Sequence, residues 1–254
     1  MKENLRNISK SSPWELSDII LKEKVIKNNY SYIERLDYIT KINSTDLIKL
    51  IKLNIENIIL FKDFSMSFLF YGNLKETSIP NLDNFNVNME LPQNNILKSD
   101  KIVDIKMSHP NKEETNNLFM LTYYSGKFSP NKNTMLILLS IIMEQPCYDF
   151  LRTKKQLGYL VKSGITKYDP NYYLYIKVQS TKSLKEVEDN VNTFINNYNK
   201  ILEEIDLDKY KKTVKELLEV KETSIAELNL KFLNEIKYRK YLFRSEELLL
   251  NELD

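Results

Sequence analysis

One stretch of the sequence combines residue types that could act on a bound molecule. The segment "FLRTKKQLGYL" (150–160) contains Arg152 and, seven positions later, Tyr159. An Arg guanidinium offers several fixed N–H donors, and a phenol can donate one hydrogen bond. Two interpretations stay open from the residues alone: an ordinary helix end with a surface cation and a packed aromatic, or a pair of donors presented to a ligand.

Other catalytic residue types are scarce. The chain has one Cys, Cys147, and one His, His109, which lies in the polar stretch "MSHPNKEETNN". Cys147 follows Pro146 in an apolar helical run, where a small buried hydrophobe is the ordinary interpretation and a nucleophile would need a nearby base. No glycine-rich phosphate loop, paired-Cys spacing or G-x-S-x-G turn occurs. We predict no metal ligands in this chain.

The charge balance limits the kinds of partner. The 254 residues include 37 basic and 35 acidic residues, for a net charge of +2, and 42% are hydrophobic. We therefore expect neither nucleic acid nor a membrane as partner, whereas a homo-oligomer stays open. The most apolar run, "MLILLSIIM" (135–143), has about half the length of a bilayer span. With no apolar core of a signal peptide at the N-terminus, we expect a cytoplasmic protein.

The first third of the sequence is predicted to be helical and to end in a linker. Ser12 and Pro13 suit a helix start, and Ser44 is predicted to cap a second helix. The run "FSMSFLFYGN" (64–73) indicates a buried strand and a turn. From Lys75 to Asn95 the sequence has no regular hydrophobic pattern and is rich in Asn, Pro and Asp. We therefore predict two domains, 1–92 and 93–254.

The second domain alternates strand and helix patterns. Strands are predicted over 101–107, 117–128, 159–166 and 172–180. A helix begins at Pro130, breaks at Pro146, and is followed by a short second helix to Gln156 that Gly158 ends in the left-handed conformation. The last third is helical. This order predicts an α+β fold with a mixed or antiparallel sheet and helices packed on one face.

The central motif resembles a known family. "IIMEQPCYDFLRTKKQLGYLVKSG" (141–164) is similar to the C-terminal half of the pitrilysin/insulinase family of zinc metallopeptidases. "FLFYGN", "NLFMLTYYS" and "YYLYIKVQS" resemble strands of that family in the same order, so the resemblance covers roughly 13–250. It implies that 1–92 is the end of the third insulinase-like domain and that 93–254 is the fourth, with the R-x6-Y substrate motif. Members of the family have a helix after the "GN" turn. The corresponding segment here, residues 74–95, looks too short to contain that helix.

The resemblance also implies a function. Members of the family hydrolyse peptides in a closed chamber with a zinc-activated water, and the zinc ligands belong to the N-terminal half. Arg152 and Tyr159 match the Arg and Tyr that reach across the chamber to the peptide, with Tyr159 supporting the transition state. Gln156, Leu157 and Gly158 are interpreted as scaffold. The expected partners are peptide substrates and the zinc-bearing half; the parent is expected to be an enzyme and this chain alone inactive.

Two alternatives remain. The chain could be a non-catalytic subunit of the family that binds peptides and completes a separate zinc-bearing chain. It could also be an interaction module that kept the fold without the chamber. An intact Arg152 and Tyr159 argue against the second alternative, because a module without a chamber has no need of that pair.

Overall fold

The computed structural model describes residues 2–26, 29–59, 69–75, 102–168, 171–237 and 241–253. Its helices are α1 (Lys2–Ile8), α2 (Pro13–Val25), α3 (Tyr32–Lys41), α4 (Ser44–Ile59), α5 (Pro130–Tyr148), α6 (Leu184–Glu204), α7 (Leu207–Leu218), α8 (Ile225–Lys237) and α9 (Ser245–Leu250). A π-helix over Asp149–Lys154 continues α5. The strands are β1 (Asn117–Lys127), β2 (Leu160–Tyr168) and β3 (Asn171–Ser180).

The sheet is built around β3. Within the described residues the strands are antiparallel in the order β1-β3-β2. Because β3 is central and both of its faces are covered, neighbouring side chains such as Ile176, Lys177 and Val178 are all buried. β1 shifts register between Tyr124 and Gly126, and Gly126 has a φ of 103°, a conformation that glycine adopts without strain.

One face of the sheet forms the main core with α5 and α6. The contributing side chains are apolar and buried, and include Leu138, Ile142, Leu151, Ile176, Val178, Val187, Val191 and Phe194. The α+β class and the antiparallel sheet are confirmed. The prediction of helices on one face is incomplete, because α2 contacts the opposite face: the Trp14 N–H donates to Gln179 Oε1 at 3.1 Å.

Local sequence explains the N-terminal helices well. Ser12 caps α2 and, with Glu15, forms a reciprocal capping box, as the helix start at Ser12 and Pro13 predicts. The cap of α4 differs from the prediction. Asn43, one residue before Ser44, accepts from the Asp46 N–H at 2.8 Å, because its side chain lies outside the first helical turn and can reach back to it.

Two predicted strands are not formed where the structure describes them. Residues 102–107 have no regular secondary structure, and Ile102 is 99% exposed, so the prediction of a strand over 101–107 is wrong for the described part. β-branched residues favour a strand only where a neighbouring strand and a core are available. Of the strand predicted over 64–73, only 69–73 are described, and they are irregular. The linker after residue 75 and the boundary at 92/93 lie outside the described residues.

The predicted helix break at Pro146 is wrong. α5 runs through Pro146 to Tyr148, and the backbone then widens: the Asp149 N–H faces the carbonyls of Gln145 and Pro146, and the Lys155 N–H donates to Phe150 O, five residues back. Proline removes a single N–H, and the tight packing of this helix in the core keeps the remaining bonds in place. The expected second helix to Gln156 is therefore a π-helical continuation.

By length and composition alone, one described helix, Pro130–Lys154, could cross a membrane. The apolar run that we predicted to be too short is thus part of a longer helix. That helix packs against β2 and supplies Leu136, Ile142 and Leu151 to the core, which accounts for its apolar composition.

Candidate functional site

Arg152 lies in the π-helix with its guanidinium close to two tyrosine rings. Its Cζ atom is 4.9 Å from the ring centroid of Tyr148 and 4.9 Å from that of Tyr159. Tyr148 is four residues before Arg152, so the helix itself places it alongside. Stacking on ring faces uses the flat surfaces of the guanidinium and leaves the N–H groups at its edge available. The structure therefore brings both predicted site residues together and adds Tyr148.

Tyr159 is the most accessible part of this site. Its side chain is 80% exposed, although it lies immediately before β2. Among the described residues, neither the Tyr159 hydroxyl nor the Arg152 guanidinium has a hydrogen-bond or ion-pair partner. Both groups can thus donate to a molecule that approaches from solvent. As neighbouring donors, Arg152 and Tyr159 can bind hydrogen-bond acceptors such as carbonyl or carboxylate oxygens.

The turn that separates the two residues is fixed by β3. Leu157 is buried, its N–H donates to Leu151 O at 3.0 Å, and its carbonyl accepts from the Ser180 hydroxyl. A Cβ atom on Gly158 would overlap the carbonyl oxygen of Gln179. Leu157 and Gly158 therefore hold the turn against the central strand.

Gly158 does not have the predicted left-handed conformation. That conformation belongs to Gln156, which has a φ of 50°. The glycine is required by the close approach of β3 to the turn, a requirement that local sequence does not reveal. Gln156 accepts a backbone conformation that costs a residue with a Cβ atom about 1–2 kcal/mol.

The remaining candidate residues take no part in this site. Cys147 is fully buried beside Ser163, and burial raises the pKa of its thiol to about 12, which confirms the interpretation as a buried hydrophobe. His109 lies elsewhere, with Nε2 2.9 Å from Ser11 O and Nδ1 against Asn111. Among the described residues, no group of three or more His, Cys, Asp or Glu side chains could hold a metal ion.

Comparisons with known proteins agree with the central motif. Residues 138–232 match the family described as PQQ synthase PqqF-like, C-terminal lobe domain 4. The insulin-degrading enzyme of Drosophila melanogaster is 37% identical over 126 residues, which are 48% of this chain and 13% of that protein. Human nardilysin is 32% identical over 148 residues, 54% of this chain and 12% of that protein.

Two further matches extend over more of the chain at lower identity. The A-factor-processing enzyme of Saccharomyces cerevisiae is 22% identical over 94% of this chain and 24% of that protein. The crystal structure of pitrilysin aligns with a TM-score of 0.49 and 15% identity, over 56% of this chain and 16% of that one. The chain thus spans no more than a quarter of the length of these relatives. Its homologues are insulin-degrading enzyme and nardilysin, of the pitrilysin/insulinase family.

Proposed function

We propose that this chain is the substrate-binding, non-zinc half of an insulinase-like zinc metalloendopeptidase, in which Arg152 and Tyr159 contact a bound peptide. The homology of residues 138–232 to a C-terminal lobe supports the assignment to that half. The observation that supports the role of the site is the pair of adjacent donors, partly exposed Arg152 and exposed Tyr159. Among the described residues neither has a hydrogen-bond or ion-pair partner, and the buried Leu157 fixes the turn between them.

Each of the two residues has a distinct role in this proposal. The edge of the Arg152 guanidinium donates to backbone carbonyls of the peptide and holds it before and during reaction. The Tyr159 hydroxyl donates to the carbonyl oxygen of the bond to be cleaved, where negative charge develops in the transition state. Tyr148 provides a second ring against the guanidinium and helps to position it.

The zinc of the parent enzyme has no place among the described residues of this chain. The only His contacts two backbone carbonyl oxygens and the only Cys is buried with a raised pKa, so the donor set does not fit a zinc site. We propose that the zinc ligands and the activated water belong to the N-terminal half, and that this half and peptide substrates are the partners of the chain.

Peptide binding by the 254-residue chain tests the role of Arg152. A fluorescein-labelled, unstructured peptide is titrated with the chain, and anisotropy gives the Kd. Loss of a charged hydrogen-bond donor in Arg152→Ala should weaken binding about tenfold. The matched control is Lys154→Ala, which removes one positive charge from the same π-helix. Equal Kd values for wild type, Arg152→Ala and Lys154→Ala would contradict the proposal.

Adding the zinc-bearing half distinguishes an enzyme from a non-catalytic subunit. We expect the two halves together to cleave the labelled peptide and either alone to leave it intact. Peptide binding without cleavage by the reconstituted pair would instead support the non-catalytic alternative.

A further inference from the structure

A polar cavity lies on the sheet face opposite the main core. It has a volume of about 250 Å³ and lies where α2 crosses β2 and β3. Its lining combines basic, hydroxyl and aromatic groups with one carboxylate, from Trp14, Asp18, Lys162, Ile165, Thr166, Tyr168, Tyr175 and Lys177. Neither the zinc chemistry nor the Arg152–Tyr159 pair accounts for such a lining.

The most buried group of the cavity is a cation. The side chain of Lys177 is 2% exposed, and its Nζ atom lies 2.9 Å from Asp18 Oδ1 and 4.3 Å from the ring centroid of Trp14. Burial lowers the pKa of Lys177, and Asp18 opposes that effect. The carboxylate of Asp18 is 59% exposed, so it neutralises Lys177 from the solvent side and marks the mouth of the cavity.

A second cation lies directly across the strand from the first. Lys162 on β2 pairs in register with Lys177 on β3. Like charges at directly opposite positions destabilise an antiparallel pair. Among the described residues Lys162 makes no ion pair, so the lining holds two cations and one anion. An additional negative group would relieve this repulsion.

Hydroxyl donors complete the lining. Tyr168 and Tyr175 have pKa values raised mainly by burial, so both stay protonated at neutral pH. The Tyr168 hydroxyl donates to Asp18 O at 3.4 Å, and Thr166 adds a third hydroxyl on the same strand. The Tyr168 O–H is therefore used by the Asp18 carbonyl, and Tyr175 supplies the hydroxyl donor for a ligand. A carboxylate accepts hydrogen bonds from a hydroxyl and pairs with an ammonium group, which is the chemistry that Tyr175 and Lys162 offer.

We propose that this cavity is a subsite for an acidic side chain of the bound peptide, with Lys162 as the specificity-determining residue. The proposal rests on the proposed function. β2 begins one residue after Tyr159, and Lys162 lies three residues after Tyr159, about 10 Å along an extended strand. Because β2 is an edge strand of the described sheet, an extended peptide that passes along this edge from Tyr159 can place an Asp or Glu side chain, about three residues away, at the mouth of the cavity on the other face.

The single tryptophan of the chain supplies the readout, because Trp14 lines the cavity. Two acetylated and amidated peptides that differ only by Glu or Gln are titrated at low salt, with Trp14 fluorescence and calorimetry as parallel measurements. We expect the Glu peptide to bind about fivefold more tightly, as for a favourable partly exposed ion pair. Lys162→Gln should abolish the preference, and the control Lys185→Gln on the exposed face of α6 should keep it.

Each other outcome overturns the proposal in a distinguishable way. Equal binding of the two peptides, with both bound, would reject the acidic subsite and leave the proposed function intact. If neither peptide binds, the proposed function fails together with the subsite. If sodium acetate alone binds as tightly as the Glu peptide, the cavity is a site for free carboxylates and the peptide assignment is wrong. A preference that survives Lys162→Gln would contradict the role of Lys162.

Discussion

Arg152 and Lys177 both lie against aromatic rings, yet their surroundings differ. Arg152 is partly exposed, lies against the rings of Tyr148 and Tyr159, and forms no ion pair among the described residues. Lys177 is buried, stacks on Trp14 and is paired with Asp18. Rings hold a cation in place without using its hydrogen-bond donors, whereas a carboxylate uses them. We infer that Arg152 is positioned for a ligand and that Lys177 anchors α2 to the sheet.

The largest expected effect concerns the Arg152 region and is catalytic. Tyr159→Phe removes one hydroxyl from an exposed ring, so the free energy of unfolding should change little. If the hydroxyl donates to the developing oxyanion, kcat of the assembled enzyme should fall by about 10²-fold. Arg152→Ala should in addition raise KM, because it removes ground-state binding. Normal kcat with a lowered Tm in Tyr159→Phe would assign a structural role to the hydroxyl instead.

The second prediction concerns stability in the Lys177 region. Asp18→Ala leaves a buried ammonium without its carboxylate, a change that costs about 3–5 kcal/mol in a closed interior. Because Asp18 is mostly exposed and water screens the pair, we expect a smaller loss, about 1–2 kcal/mol, in urea denaturation. Arg152→Ala, measured in the same way, is the control and should lose less. A larger loss for Arg152→Ala would reverse the comparison between the two cations.

The pH dependence of stability should follow from Lys177. Its pKa in the folded chain lies below the ordinary value of 10.5, so between these two values the unfolded chain binds more protons. The contribution of Lys177 to the free energy of unfolding therefore rises as pH increases through this window. The free energy of unfolding is measured for wild type and for Lys177→Met between pH 7 and 10.5. The difference between the two at each pH isolates the contribution of Lys177. A difference that stays constant with pH would show that burial does not shift the pKa of Lys177.

The smallest expected effect tests the stacking of Arg152. Tyr148→Leu keeps an apolar side chain but removes one ring from the guanidinium, which should cost about 0.5–1 kcal/mol. We expect peptide binding to weaken two- to fivefold, which is less than in Arg152→Ala, and to be partly restored in Tyr148→Phe. Unchanged binding in Tyr148→Leu would mean that Tyr159 alone positions Arg152.

Patterns within short segments predicted much of the fold. Alternating β-branched and aromatic residues predicted β1, β2 and β3, and the pair Ser12–Pro13 predicted the start of α2. These signals depend on neighbours in the chain. Residues 102–107 have the same composition as a strand without forming one, because whether a strand pairs is decided by distant segments.

Only part of the site could be predicted from the sequence. The resemblance singled out Arg152 and Tyr159, and helical spacing could have added Tyr148. The need for Gly158 and the cavity around Lys177 could not be predicted, because both depend on contacts between distant parts of the chain. The backbone of Gln179 leaves no room for a Cβ atom at position 158. The Trp14 N–H donates to the side chain of Gln179, which lies 165 residues later in the sequence.

The π-helix has a consequence for the direction in which Arg152 points. A π-helical turn closes its hydrogen bonds five residues apart, whereas an α-helical turn closes them four residues apart. Removing one residue from this turn would restore the α-helical spacing and change the position of Arg152 around the helix axis relative to Tyr159. Arg152 would swing away from Tyr159 even though both side chains were still present. The number of residues between α5 and β2, as much as their identity, therefore sets the azimuth of the guanidinium.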